Sequence, residues 1–125
     1  MTTATNRIGR IGEELAARHL QRLGYTIVAR NWRVRVDGVR GELDIVATDG
    51  GALVFCEVKT RRRALPGDQA LAAVDRGKQR QLRRLAGLYL AERGGHGVDV
   101  RFDVVGVAWP VSGGAAELVH VRAAF

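Results

Sequence analysis

The sequence predicts a single α/β domain in which helices flank a central mixed β-sheet of about five strands. Three observations lead there. Apolar residues recur at helical spacing in two well-separated segments. The segments between and after them are rich in β-formers or alternate at strand spacing. The resulting order is helix, three strands, helix, two strands. The length of 125 residues suits one domain, and a hydrophobic content of 46% allows one modest core.

Residues 1–7 are expected to form a disordered polar tail and 8–125 the folded domain. Ile8, Ile11, Leu15, Leu20 and Leu23 recur near helical spacing, so 8–23 is predicted helical, with Gly24 as its stop. Residues 25–36 read as one strand, with a break near Asn31, and Asp37-Gly38 as a turn. Residues 42–48 alternate as a strand, Asp49-Gly50-Gly51 is a tight-turn signal, and 52–60 return. Residues 61–68, with three arginines and Pro66-Gly67, are expected to be a loop. Residues 69–93 read as helix in two pieces, the second capped by Asp75 and carrying Leu82, Leu85, Ala86 and Tyr89 as its apolar stripe. Gly94, Gly95 and Gly97 end it. Strands over 98–107 and 118–121 follow, and the crossover through the helix makes a parallel pair the expected connection.

Charge narrows the class of function. Twenty Lys+Arg against 13 Asp+Glu give +7 and a pI near 10.9. Such a surplus attracts polyanions, nucleic acid foremost, although an anionic membrane surface or a solubilising arginine-rich face also fits. Cys56 is the only cysteine, which excludes an internal disulfide and suits a reducing, cytoplasmic setting. His19, His96 and His120 are scattered, with no spacing that suggests structural zinc. Residues 1–7 do not read as a signal peptide, and no apolar run approaches the roughly 20 residues that span a bilayer. No membrane association is expected.

The chemistry-bearing segment is the hairpin Glu42-Leu43-Asp44 facing Glu57-Val58-Lys59. With Gly50-Gly51 as its two-residue loop, Asp49 falls opposite Ala52, Asp44 opposite Glu57, and Glu42 opposite Lys59; an Asp49-Gly50 loop slides the pairing by two and keeps the faces, whereas a three-residue loop inverts them. All four charged groups then share a face, while Leu43, Ile45, Ala47, Val54, Cys56 and Val58 form the other. Two adjacent carboxylates repel, and a hard divalent cation such as Mg²⁺ or Mn²⁺ relieves the repulsion. Such an ion polarises a phosphodiester and acidifies a water, and Lys59 would stabilise charge developing on the phosphate. A cross-strand salt-bridge ladder is the alternative reading of the same four residues.

Gly41-Glu42-Leu43-Asp44-Ile45-Val46-Ala47 followed by Val54-Phe55-Cys56-Glu57-Val58-Lys59-Thr60-Arg61 resembles the YraN family of uncharacterised bacterial proteins. That family is similar to archaeal Holliday-junction resolvases within the restriction-endonuclease-like superfamily. The likeness runs from about Gly9 to the C-terminus and includes Gly12-Glu13, Arg30-Asn31-Trp32, Lys78 and Arg101-Phe102-Asp103. It implies a restriction-endonuclease-like sheet, metal ligation by Asp44 and Glu57 with the Val58 carbonyl, a catalytic Lys59, and Glu13 as a further acid reaching the metal from the first helix.

Beyond the hairpin, Arg61, Arg62, Arg63, Lys78 and Arg80 are candidates for a phosphate track, and Glu42 for a supporting acid. For each basic residue taken singly, a solvated or snorkelling side chain is the competing reading. Trp32 and Trp109 are assigned to the core, and Asp103 to structure, within reach of Arg101. Three functions follow: a metal-dependent endonuclease on DNA, with branched or junction DNA a candidate substrate; a nucleic-acid-binding module without turnover, RNA included; or a basic adaptor for an acidic protein. Junction symmetry makes a homodimer a candidate assembly.

Overall fold

The computed structural model describes residues 4–36, 38–64, 74–95 and 97–125. Helix α1 spans Ala4–Arg22, strands β1 Thr26–Val36, β2 Val39–Asp49 and β3 Ala52–Ala64, helix α2 Arg76–Arg93, and strands β4 Asp99–Pro110 and β5 Glu117–Val121. The five strands lie in chain order, antiparallel except for the parallel β3–β4 pair joined across α2. This is the α/β architecture with a mixed sheet that the pattern predicts.

The sheet separates two apolar clusters. On one face Ala16, Ala17 and Leu20 of α1 meet Ile45, Ala47, Val54, Cys56, Val105 and Val107. On the other, Leu82, Leu85, Ala86 and Tyr89 of α2 meet Leu43, Val46, Phe55, Phe102 and Val104. Fully buried side chains such as Leu20, Ile45 and Leu85 each contribute about 1.5–3 kcal/mol. Trp32 packs edge-on against Tyr89, 5.3 Å between ring centroids, and Trp109 packs against the α1-side cluster, so both tryptophans serve the core.

Local chemistry sets the boundaries. α1 closes with Gly24 at φ 94° while the Tyr25 N–H donates to the Leu20 carbonyl, the six-to-one bond of a Schellman turn. α2 begins where the Asp75 carboxylate accepts from the Lys78 N–H at 2.8 Å, as predicted, and ends at Gly94 with φ 63°. The β2–β3 turn is the Gly50-Gly51 loop, with Asp49 opposite Ala52.

Three boundaries differ from expectation. α1 starts at Ala4, so 4–7 extend the helix rather than forming a tail; residues 1–3 lie outside the described residues. Arg61 and Arg62 continue β3, because β4 supplies partners as far as Arg61↔Ala108 and Ala64↔Pro110 where a loop was expected. The first piece of the second helix, within 69–74, falls almost wholly outside the described residues.

Close approaches at two glycines position the helices beside the hairpin acids. A Cβ at Gly12 would overlap the Thr60 side chain, so α1 lies directly on β3 beside Glu13. A Cβ at Gly41 would meet Leu85 and Gln81, and the Gln81 side chain donates to the Arg40 carbonyl, so α2 braces β2 where Glu42 begins.

Candidate active site

The β2–β3 ladder runs from Asp49↔Ala52 to Ile45↔Cys56 and stops. Beyond it β3 stays with β4 (Glu57↔Val104, Val58↔Val105, Lys59↔Gly106), while β2 stays with β1 (Trp32↔Leu43, Arg33↔Glu42). The sheet therefore forks between Asp44 and Glu57. The Asp44 carboxylate enters the fork and accepts the Val58 N–H at 2.9 Å. The expected cross-strand pairs Asp44–Glu57 and Glu42–Lys59 are absent from the ladder. Alternation lapses too: Leu43 packs in the α2-side cluster, whereas Ile45, Cys56 and Val58 pack on the α1 side. Leu43 was expected to share their face. Trp32, paired with Leu43, packs on the same α2 side, and the slip falls beside Asn31, whose φ of 52° leaves strand geometry.

The fork gathers acids from three elements. Glu13 of α1, Glu42 and Asp44 each bring an oxygen to within 4.8 Å of the others. Glu57 of β3 stands outside that group, near enough to push Asp44 toward its neutral form. From the other face, Lys78 Nζ lies 3.3 Å from Glu57 Oε2, close enough to pair but not aligned to donate, so this buried oxygen has no hydrogen-bond partner. The four hairpin charges are thus not one flat row: the carboxylates converge from both sides of the fork.

Their electrostatics are those of an under-neutralised cluster. Asp44 is pushed up to about 9, first by burial and then by Glu57. Glu13 is also raised, by burial and by Glu42. Arg33 reaches Glu42 at 3.3 Å but is 70% exposed, so its compensation is largely screened. One end of the Asn31 amide lies 2.5 Å from Glu42 Oε1 and 3.0 Å from Glu13 Oε1, and with its nitrogen on that side it donates to both. Asn31 adopts φ 52°, a left-handed conformation that asparagine tolerates better than most residues.

Lys59 lines a cleft of about 360 Å³ with Ile8, Glu13, Thr60 and Arg62, which places it beside the acids without an ion pair to them among the described residues. Val58 joins the site through its N–H. Arg61, Arg62 and Arg80 are exposed. The side chain of Arg63 lies outside the described residues. Lys78, a candidate for the phosphate track, reaches the site and pairs with Glu57. Asn31 was not among the expected site residues; the strand break and the Arg30-Asn31-Trp32 match were its signals in the chain.

A second polar cluster runs from Asp49 at the β2–β3 turn to Asp103 on β4, opposite Cys56. Asp103, fully buried, accepts from Arg101 Nε at 2.9 Å, Ala123 N–H at 3.1 Å and the Tyr25 hydroxyl at 3.1 Å, and pairs with His120 Nε2 at 2.8 Å. Burial alone would raise its pKa, but His120, Arg101 and the Ala123 amide hold it well below the carboxylate range. His120 Nδ1 in turn meets His19 Nε2 at 3.1 Å, a contact between residues 101 positions apart. Asp103 is structural, as expected.

The profile of the uncharacterised protein family UPF0102 matches residues 12–107. The chain belongs to that family. It is the YraN family that the hairpin motifs resemble. A UPF0102 protein of Frankia casuarinae is 48% identical over 122 residues, covering 98% of each chain. One of Streptomyces griseus is 51% identical over 121 residues, covering 95% of this chain and 96% of the relative. One of Symbiobacterium thermophilum is 50% identical over 106 residues, covering 82% and 83%. Among solved structures, an FdxN element excision controlling factor protein from Anabaena variabilis overlaps 82% of this chain and 92% of its own, at 16% identity and a TM-score of 0.41, a likeness too loose to bear on activity.

Proposed function

We propose that this UPF0102 protein is a metal-dependent endonuclease acting on DNA in the cytoplasm, with branched or junction DNA its candidate substrate. The observation that carries the reading is the fork: Glu13, Glu42 and Asp44 bring oxygens within 4.8 Å of one another, Asp44 is held toward its neutral form by burial and by the neighbouring Glu57, and a buried Glu57 oxygen lacks a hydrogen bond. The donor set is all oxygen, which suits Mg²⁺ or Mn²⁺, held by Asp44 and Glu57 with Glu13 as a further acid. Such a cation supplies Lewis-acid polarisation of a phosphodiester and acidifies a water.

The chain's own residues do the rest. Val58 N–H fixes the Asp44 carboxylate, Gly12 seats α1 so that Glu13 reaches the same space, and Lys59 lines the adjoining cleft where it would stabilise charge on the phosphate. Exposed Arg61, Arg62 and Arg80, with the +7 net charge, would supply sequence-independent attraction to the backbone. The restriction-endonuclease resemblance supports the same assignment.

The test is cleavage of linear, flapped and four-way-junction DNA in Mg²⁺, in Mn²⁺ and in chelator. Metal-dependent scission is expected, abolished in Glu57→Ala and Lys59→Ala, with DNA affinity about unchanged. Scission that persists in Glu57→Ala, in a preparation free of contaminating nuclease, would move the active site elsewhere. Tight, salt-sensitive binding without scission in any metal would leave a binding module.

A further inference from the structure

The geometry points to Asn31 as a two-state member of this carboxylate site: its amide nitrogen clamps Glu13 and Glu42 together when no divalent cation is bound, and its carbonyl oxygen turns in to ligate the cation when one is. The inference rests on the cation reading above. It starts from contacts that reading does not use. Asn31 comes from the edge strand β1, outside the Glu42–Lys59 hairpin, yet its amide touches carboxylates of two other elements, α1 and β2.

An amide is the one uncharged side-chain group that suits both states. Its nitrogen is a two-hydrogen donor and can bridge two carboxylates; its oxygen is an acceptor of the kind hard cations take. A half-turn about the terminal torsion exchanges them without moving the backbone, because the two ends are nearly the same shape. At φ 52° Asn31 departs from ordinary strand geometry, while the ladder with β2 holds on both sides of it at Arg30↔Ile45 and Trp32↔Leu43. Arg30 and Arg33 flank it with ion pairs to Glu14 and Glu42, at 2.8 and 3.3 Å, which tie this stretch of β1 to α1 and β2. Asn31 is itself exposed, so an ion arriving from solvent meets the amide beside the carboxylates.

Two substitutions separate the states. Glycine accepts the left-handed conformation and deletes the amide, whereas aspartate keeps an oxygen ligand but cannot donate when ionised. Mn²⁺ binding to the full chain is followed by electron paramagnetic resonance of free Mn²⁺, and thermal unfolding is measured in chelator. Asn31→Gly is expected to weaken Mn²⁺ binding by about tenfold to a hundredfold, the range for losing a supporting group at a metal site. Asn31→Asp is expected to bind Mn²⁺ at least as tightly as the parent, yet to melt lower in chelator and recover when Mn²⁺ is added. If Asn31→Gly binds as the parent does while Asp44→Asn does not, Asn31 is no ligand and the cation site stands without it. If Asn31→Asp is as weak as Asn31→Gly, donation alone matters and the ligating state is wrong. If the parent binds no Mn²⁺, the cation reading fails and this inference falls with it.

Discussion

Two clusters on one sheet each hold an aspartate among charged neighbours, and they solve the burial of charge in opposite ways. In the cluster that starts at the turn, Asp103 is surrounded by donors, Arg101, His120, Tyr25 and a backbone amide, and is held ionised. At the forked end, Asp44 has one donor, the Val58 N–H, against three acids, Glu13, Glu42 and Glu57, and is pushed up to about 9. The first cluster is complete within the protein. It joins β1 (through Tyr25 at its edge), β4, β5 and the C-terminal segment, and asks for nothing else. The second is completed only by something positive from outside. A buried carboxylate by itself is therefore a poor guide to function; the sign of its neighbours discriminates.

The largest expected effect comes from breaking the finished cluster. Asp103→Ala leaves Arg101 and His120 without their partner and removes the acceptor of the Ala123 amide. Removing one member of a buried charge pair costs about 3–5 kcal/mol, and thermal unfolding should register it as a large fall in Tm without change in Mn²⁺ affinity. The pH dependence carries the sign. Asp103 titrates lower folded than unfolded, so its stabilisation is full above the ordinary carboxylate value and is lost as pH falls through the depressed folded value.

The forked end should behave in reverse. Asp44 titrates higher folded than unfolded, so its favourable contribution is full below an unfolded value of about 4 and is lost as pH rises to about 9. In chelator, the parent should therefore lose stability across neutral and mildly alkaline pH. Asp44→Asn should flatten that slope and raise Tm at pH 8, by on the order of 4 °C for each kcal/mol relieved, while abolishing Mn²⁺ binding. A fall in Tm instead would mean that the carboxylate stabilises the fork as an ion, and the two clusters would then bury charge in the same way.

A smaller effect sharpens the contrast on the surface. Replacing Arg61 and Arg62 with glutamine should lower the salt slope of DNA binding by about 1 for each phosphate no longer neutralised. Arg122→Gln, in the finished cluster, should leave the slope unchanged, because Arg122 is occupied by Tyr25 and Asp49. Equal changes at both places would place the nucleic acid across the whole basic surface.

Much of the frame was legible in the chain because it depends on local chemistry. The Gly50-Gly51 loop sets the Asp49↔Ala52 register, Asp75 caps α2, and the Leu82–Tyr89 stripe names its buried face. The acids of the site were legible as residue types at strand spacing. Their arrangement was not, because the fork depends on Asp44 outcompeting a backbone carbonyl for the Val58 N–H, a contest that no periodicity encodes. Leu43 was misassigned because alternation slips between the pairs Arg30↔Ile45 and Trp32↔Leu43, beside Asn31 at φ 52°. Asn31 left only the hint of a broken strand and the Arg30-Asn31-Trp32 match, since its contacts lie on α1 and β2. The His19–His120 contact was invisible, because only the packing of α1 over β4 and β5 brings those rings together.

The fork also has a bearing on time. A backbone amide in a β-ladder exchanges its hydrogen with water only when strands separate, but the Val58 N–H is shielded by a side-chain carboxylate whose rotation alone can release it. Its exchange rate should follow what Asp44 is doing, while the amides between Ile45 and Ala52 report on the opening of the hairpin as a whole. One resonance in the middle of the sheet thus acts as a clock for the site, running at a speed set by the charge state of a neighbouring residue.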